Sequence, residues 1–150
     1  MALKHAPDLT KQPPRSTRVR LGGYALLPRV LDKGRATING KNGEYKYNCP
    51  HDQRFLSYVG INAEALKKRL AAGKGDAEIL KWIEKNAKHK HNPVEIKAWS
   101  DYLEQRVPQD NESRGYFCDI LSKVAPKRDD IGTWFELLDL DDYASFGGKP

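Results

Sequence analysis

The chain has 150 residues and a formal net charge of +6, with 39% hydrophobic and 31% charged residues. This composition is typical of one soluble globular domain with a modest core. The sequence contains neither an apolar run of the ~20 residues that cross a bilayer nor a secretory signal, so we expect a cytoplasmic protein. Cys49 and Cys118 are expected to be reduced thiols, and a single disulfide is the alternative.

The charge is unevenly placed along the chain. Residues 1–42 carry nine Lys and Arg against two Asp and Glu, whereas residues 110–150 carry five against nine. A basic front of this kind is one signature of a surface that binds nucleic acid. The alternatives are that the basic front contacts the acidic C-terminal part of the same molecule, or that both parts are solvated.

The front of the chain combines an arm, a helix and a turn. Pro13 and Pro14 exclude a helix over residues 1–19, so we expect an extended basic arm that is either loose or laid along the surface. An apolar stripe predicts the first helix near residues 26–39, although Gly34 weakens it. Asn42-Gly43 predicts a turn, and a small hairpin of residues 36–39 with 44–47 is an alternative.

The rest of the chain shows apolar residues at helical spacing almost throughout. Short polar segments separate six further predicted helices. The first of these six begins at Asn48-Cys49-Pro50 and ends at Gly60. The later predicted helix caps are Asn62, Asp76, Asn92 and Asp130. We therefore predict an all-α single-domain bundle of five to seven helices over residues 20–144, with at most a small β-hairpin near residues 36–47 and a flexible tail over residues 145–150.

Charged residues of the first predicted helix form a candidate anion-binding site. Arg29 and Lys33 are four residues apart, and Asp32 is three residues from Arg29, so the three can share one side of the helix. Two cations with one carboxylate can hold an anionic ligand while the carboxylate orients them. Arg35 adds a cation nearby. The alternative is a solvated helix face with ion pairs worth only ~0.3–0.5 kcal/mol each.

The segment after the turn supplies the other candidate site residues, which are Tyr45, Tyr47, Cys49 and Asp52. Cys49 is predicted at a helix N-terminus, where backbone N–H groups and the helix dipole favour a thiolate. The tyrosines could stack a planar ligand, or they could belong to the core. Asp52 could cap backbone donors or act as a general base.

Metal binding has less support in the sequence. Cys49-x-His51 and His89-x-His91 contain ligand types that zinc accepts, but no CxxC or HExxH pattern accompanies them. A histidine at the basic end of a helix is explained by favourable capping. We therefore predict no metal site, and the sequence identifies no cofactor.

Several motifs give the chain a family resemblance that is most specific in its first third. They are Leu21-Gly22-Gly23-Tyr24, Leu27-Pro28-Arg29, Asp32-Lys33, Arg35, Gly43-Glu44-Tyr45, Tyr47-Asn48-Cys49-Pro50, Asp52 and Phe55, followed by Asp76, Ile79, Trp82 and Trp99. With these motifs the sequence resembles the bacterial domain-of-unknown-function family numbered 5069. The resemblance implies a free-standing bacterial domain and brings with it no activity, cofactor or catalytic residue.

These observations predict a pocket built by residues 20–55 that binds a small anionic molecule. Arg29, Lys33 and Arg35 would hold the ligand and Asp32 would orient them, while Tyr45, Tyr47, Cys49 and Asp52 would complete the pocket. The alternative function is a nucleic-acid or protein-binding adaptor that uses the basic N-terminal face. Whether a reaction follows binding is left open.

Overall fold

Helices provide the regular structure of residues 2–150, which a computed structural model describes. They are α1 (Leu27–Ile38), α2 (Pro50–Val59), α3 (Ala63–Ala71), α4 (Asp76–Asn86), α5 (Pro93–Gln105), α6 (Asn111–Val124) and α7 (Trp134–Ser145). The predicted all-α fold is therefore confirmed. None of the helices in this described part of the chain combines the length and apolar character that a membrane crossing requires.

Local capping signals set most of the helix boundaries. Asn62 accepts hydrogen bonds from two backbone N–H groups at the start of α3, and Gly60 ends α2 in the left-handed conformation. Asn92 and Glu95 form a reciprocal capping box at the start of α5. These predicted boundaries are confirmed.

Two predicted aspartate caps are wrong, because the two helices begin with other capping residues, Gly75 for α4 and Thr133 for α7. Asp76 is the first residue of α4 and pairs with arginines of other segments. Asp130 pairs with Arg128, and α7 starts four residues later at Trp134 with Thr133 as its cap. At both positions the carboxylate pairs with arginine and caps no helix.

Helix α1 lies at the centre of the bundle, because apolar clusters cover it from two directions. The larger cluster joins α1 to α2, α3 and α4 through residues such as Leu31, Phe55 and Leu70. The smaller cluster joins the start of α1 to α5 and α7 through Leu26 and Phe135. Burial from both directions holds α1 and its charged side chains in fixed positions.

The alternative hairpin near residues 36–47 does not form. Residues 36–38 continue α1, and the chain then reverses through a turn in which the Tyr45 N–H donates to the Asn42 carbonyl at 2.9 Å. The only β-bridge within residues 2–150 is the isolated pair Leu21–Tyr24. The turn returns the segment 43–49 toward α1, as the Asn42-Gly43 signal predicts.

The N-terminal arm lies along the surface of the bundle and contributes to it. Leu9 is fully buried, and its N–H donates to the Lys41 carbonyl at 2.8 Å. The Thr17 carbonyl accepts from the N–H of Leu26, which precedes α1. The arm therefore fixes the segment that leads into α1.

Gly34 is a point of close approach between α1 and its neighbours. A Cβ atom at this position would lie 2.6 Å from Leu70 Cδ1 of α3 and 3.2 Å from Tyr47 Cε1. Leu70 is fully buried and cannot move freely. The glycine that weakens the helical pattern in the sequence thus permits the contact between α1 and α3.

We expect Gly34→Ala to lower the free energy of unfolding by about 1–3 kcal/mol, because the added methyl overlaps a packed leucine. The control is Gly115→Ala in α6, where a Cβ would meet no atom within 4 Å. That substitution should stabilise by about 0.5–1 kcal/mol through helix propensity. Urea unfolding measures both values, and a stabilising Gly34→Ala would show that α1 and α3 can separate freely.

Candidate functional site

An open pocket of about 640 Å³ lies between α1, the segment 43–49, the start of α2 and α7. Four predicted site residues line it, which are Arg29, Lys33, Tyr45 and Cys49. Helix α7 and the residue after it supply Leu138, Asp141, Asp142 and Phe146 to the same pocket. The pocket therefore extends beyond residues 20–55, and the C-terminal helix forms one of its sides.

Arg29 is fixed at the α7 side of the pocket by a buried ion pair. Two nitrogens of its guanidinium donate to the Asp142 carboxylate, at 2.6 and 3.2 Å. The Tyr45 hydroxyl donates to the same carboxylate at 2.8 Å, and the guanidinium lies 5.4 Å from the centre of the Tyr45 ring. Burial and the hydrogen bond to Asp142 raise the pKa of Tyr45 above its ordinary value of 10, so the phenol stays protonated.

Lys33, which lines the pocket, forms a second buried ion pair with Asp52 of α2. The Lys33 Nζ lies 2.6 Å from Asp52 Oδ1, and the two residues are only 4% and 1% exposed. The same Nζ donates to Cys49 Sγ at 3.2 Å. Asp52 Oδ2 accepts from the Asn48 N–H at 2.8 Å, so Asp52 caps a donor before α2, as one of its predicted roles requires.

Three predicted site residues point away from the pocket. Asp32 accepts hydrogen bonds from the backbone and the guanidinium of Arg15, and Arg35 pairs with Asp76 at 2.7 Å. The Tyr47 hydroxyl donates to the Ala63 carbonyl at 2.7 Å. Neighbouring positions on a helix diverge by about 100°, so Asp32 can face the arm while Lys33 faces α2.

Asp76 joins the arm, α1 and α4. Arg15 Nη1 lies 2.8 Å from one carboxylate oxygen and Arg35 Nη1 lies 2.7 Å from the other. Burial alone would raise the pKa of Asp76, but the hydrogen bonds from the two arginines bring it below its ordinary value of 3.8. Asp76 is therefore a structural anion on the opposite side of α1 from the pocket residues Arg29 and Lys33.

His51 is a pocket residue that the sequence analysis did not select as a site residue. It lines the pocket, and its Nδ1 is buried and makes no hydrogen bond. Burial, followed by the charges of Lys33, Arg54, Arg106 and Arg29, lowers the pKa of His51 from 6.5 to about 4. The imidazole is therefore neutral near pH 7 and keeps one unused polar atom.

Asp141 and Asp142 are also missing from the sequence prediction. They lie more than 110 residues from Arg29 in the chain, and no spacing rule connects such distant positions. The only available signal is the charge asymmetry, because contact between the basic front and the acidic end is one of its explanations. The Arg29–Asp142 pair is a direct example of that contact.

No group of three or more His, Cys, Asp and Glu side chains within residues 2–150 is arranged to hold a metal ion. His91 instead stacks on Tyr58, with ring centres 3.8 Å apart, and its Nε2 lies 2.9 Å from the Tyr58 carbonyl. Its contacts therefore belong to the packing of α2 against the start of α5.

The family assignment agrees with the resemblance of the motifs. A family model described as Domain of unknown function (DUF5069) matches residues 11–144. The chain belongs to this family. A comparison with curated proteins finds no match. The DUF5069 match covers every predicted site residue as well as Asp141 and Asp142, so the whole pocket wall except Leu9, Thr10, Ser145 and Phe146 lies within the family domain.

We expect Arg29→Ala to destabilise this DUF5069 domain by about 3–5 kcal/mol, because it leaves the buried Asp142 carboxylate without its partner. In a double-mutant cycle with Arg29→Met and Asp142→Leu, the combined loss should be well below the sum of the single losses. Urea unfolding measures each variant.

The control for the buried pair is the exposed pair Arg128–Asp130 in the segment that precedes α7. Arg128→Met should leave the free energy of unfolding nearly unchanged, since exposed ion pairs contribute little. Additive losses for Arg29 and Asp142 would contradict a buried interaction between them.

His51 makes the stability of the domain depend on pH. The unfolded chain takes up a proton at His51 below about pH 6.5, whereas the folded protein does so only near pH 4, so folding stability falls as the pH drops through this range. Between pH 7 and pH 5 the loss from His51 should be about 2 kcal/mol.

Chemical unfolding at both pH values tests this expectation. His51→Phe should lose less stability than the unchanged protein between pH 7 and pH 5, and His5→Phe, at an exposed histidine, is the matched control. Identical pH dependence for all three proteins would contradict a buried, neutral His51.

Proposed function

We propose that this protein binds a small anionic molecule in the pocket between α1, α2 and α7. The single observation that carries the proposal is His51, a pocket residue with an unused buried Nδ1 in the field of four cations. A buried polar atom without a partner costs about 1–3 kcal/mol, which a ligand atom can recover. Since the imidazole is neutral, Nδ1–H can donate to an anionic oxygen without a change of charge.

The two ion pairs determine the position and the net charge of the pocket's cationic groups. Asp52 and Asp142 hold Lys33 and Arg29 in place and neutralise much of their charge. Lys33 Nζ has three N–H donors, of which Asp52 and Cys49 use two. We assign the third donor, together with the exposed Lys46 at the pocket edge, to the anionic group of the ligand.

The wall that α7 and Phe146 supply fits the remainder of a small organic molecule. Leu138 and Phe146 offer apolar surface, and Asp141 lines the pocket beside them. Burial and the neighbouring Asp142 raise the pKa of Asp141 above its ordinary value of 3.8. We assign Asp141 as an acceptor for a hydroxyl or amine group. A volume of about 640 Å³ lies within the ordinary range for small-molecule sites.

The alternative adaptor function has less support. Five arginines between residues 15 and 35 supply most of the charge of the basic N-terminal face, and each pairs with a carboxylate of the same molecule; they are Arg15, Arg18, Arg20, Arg29 and Arg35. The bacterial cytoplasm is the location that we infer, since Cys49 and Cys118 are both free thiols.

A thermal-shift screen of phosphorylated and carboxylated metabolites tests the binding proposal. A ligand at 100-fold its Kd should stabilise the protein by about 2.7 kcal/mol, which corresponds to a Tm increase of about 5–10 °C. His51→Phe and Lys46→Gln should each reduce the shift, because each removes a group assigned to the anion.

Lys123→Gln is the matched control, because Lys123 is an exposed lysine on α6 that does not line the pocket. It should leave the ligand-induced shift unchanged. A set of hits restricted to cationic or uncharged compounds would contradict the anionic ligand. Hits unaffected by His51→Phe and Lys46→Gln would contradict the pocket.

A further inference from the structure

The helices α3 and α4, with the residues just after α4, carry a group of cations that have no ion pair within residues 2–150. Several cations between residues 67 and 88 form no ion pair with any described residue, which contrasts with the paired arginines of the N-terminal face. They are Lys67, Lys68, Arg69, Lys81, Lys85 and Lys88. These cations can interact with an external anion without first breaking an internal contact.

Three of these cations surround a shallow depression of about 510 Å³. Arg69 reaches it from α3, while Lys81 and Lys85 are four residues apart on α4 and therefore share a face. Arg69 Nε is buried and makes no hydrogen bond. The depression thus combines two exposed ammonium groups with a guanidinium that has unused donor capacity.

Trp82 provides an aromatic side chain in the same depression. It packs partly against the apolar cluster of α1–α4 and lines the depression beside Lys81 and Lys85. Trp99 and Trp134 contact neighbouring rings, whereas Trp82 has no aromatic partner among residues 2–150. Its indole is therefore not committed to another ring of this molecule.

The carboxylate of Glu78 is the only acidic group in this depression within the described chain, and Lys74 partly neutralises it at 3.4 Å. The depression consequently has a net positive charge. Asn86 donates to the Trp82 carbonyl at 2.8 Å, so its side chain stabilises the end of α4.

We propose that this surface, formed by Arg69, Lys81, Trp82 and Lys85, binds single-stranded nucleic acid. The cations would contact successive phosphates, and the indole would stack on an unpaired base. Unpaired cations beside an available aromatic ring are the combination that single-strand binding uses, whereas an acidic peptide would have no base to stack on the indole. The surface lies on α3 and α4 and shares no residue with the anion pocket of α1, α2 and α7.

Fluorescence anisotropy with a labelled oligothymidine of about 16 nucleotides tests the proposal, because this length spans a single-strand site. Three phosphate contacts predict a slope of log K against log salt of about −2. Lys81→Gln with Lys85→Gln should reduce the magnitude of that slope by about 1.4, since two contacts are lost. A duplex of the same length should bind more weakly, since its bases cannot stack on Trp82.

The matched control is Lys123→Gln with Lys127→Gln, which removes the same charge at and just beyond the end of α6. Both lysines are exposed, and the control should leave the slope and the affinity nearly unchanged. Trp82→Leu should weaken binding about fivefold or more through lost stacking. Because Trp82 also contacts the core, the melting temperature of the Trp82→Leu variant is measured in parallel. The exposed lysine variants test the site independently.

Absence of binding at low salt would overturn the proposal, as would equal losses in the two double-lysine variants. Equal affinity for duplex and single strand would also overturn it. Loss of binding only after substitution of Lys11 and Arg18 would move the interaction to the N-terminal face and would contradict a site on α3 and α4.

Discussion

The arrangement of this protein depends on the burial of three charged side chains of α1. Arg29, Asp32 and Lys33 lie within two turns of one helix, and all three are buried. A charge removed from water is tolerated only when an opposite charge and hydrogen bonds compensate it. Helix α1 therefore needs three partners of suitable charge, and the rest of the chain must be positioned to bring them there.

Each buried charge of α1 takes its partner from a different part of the chain. Asp142 of α7 meets Arg29, Arg15 of the N-terminal arm meets Asp32, and Asp52 of α2 meets Lys33. Apolar packing is tolerant of small shifts, but a bidentate pair at 2.6 and 3.2 Å fixes both distance and direction. The three pairs consequently determine how the arm, α2 and α7 sit around the central helix.

The candidate pocket is a consequence of the same arrangement. Because Asp142 pairs with Arg29, α7 lies beside α1. It forms one side of a space that the segment 43–49 and the start of α2 also line. His51 enters the wall of this space as the second residue of α2, without a hydrogen-bond partner for Nδ1. The ion pairs thus stabilise the arrangement of the helices, and polar groups that have no partner remain in the pocket wall.

The sequence by itself determined the features that depend on neighbouring residues. The helical class, the caps at Asn62 and Asn92 and the stop at Gly60 follow from side-chain and backbone interactions within four residues. The contacts of α1 with Asp142 and Arg15 depend on how distant segments pack. The sequence contains many acidic residues that could pair with Arg15 or Arg29. Only the tertiary structure decided that the N-terminal arginines are paired and the cations of α3 and α4 are free, because an ion pair requires both partners within about 4 Å and local sequence spacing does not encode that distance.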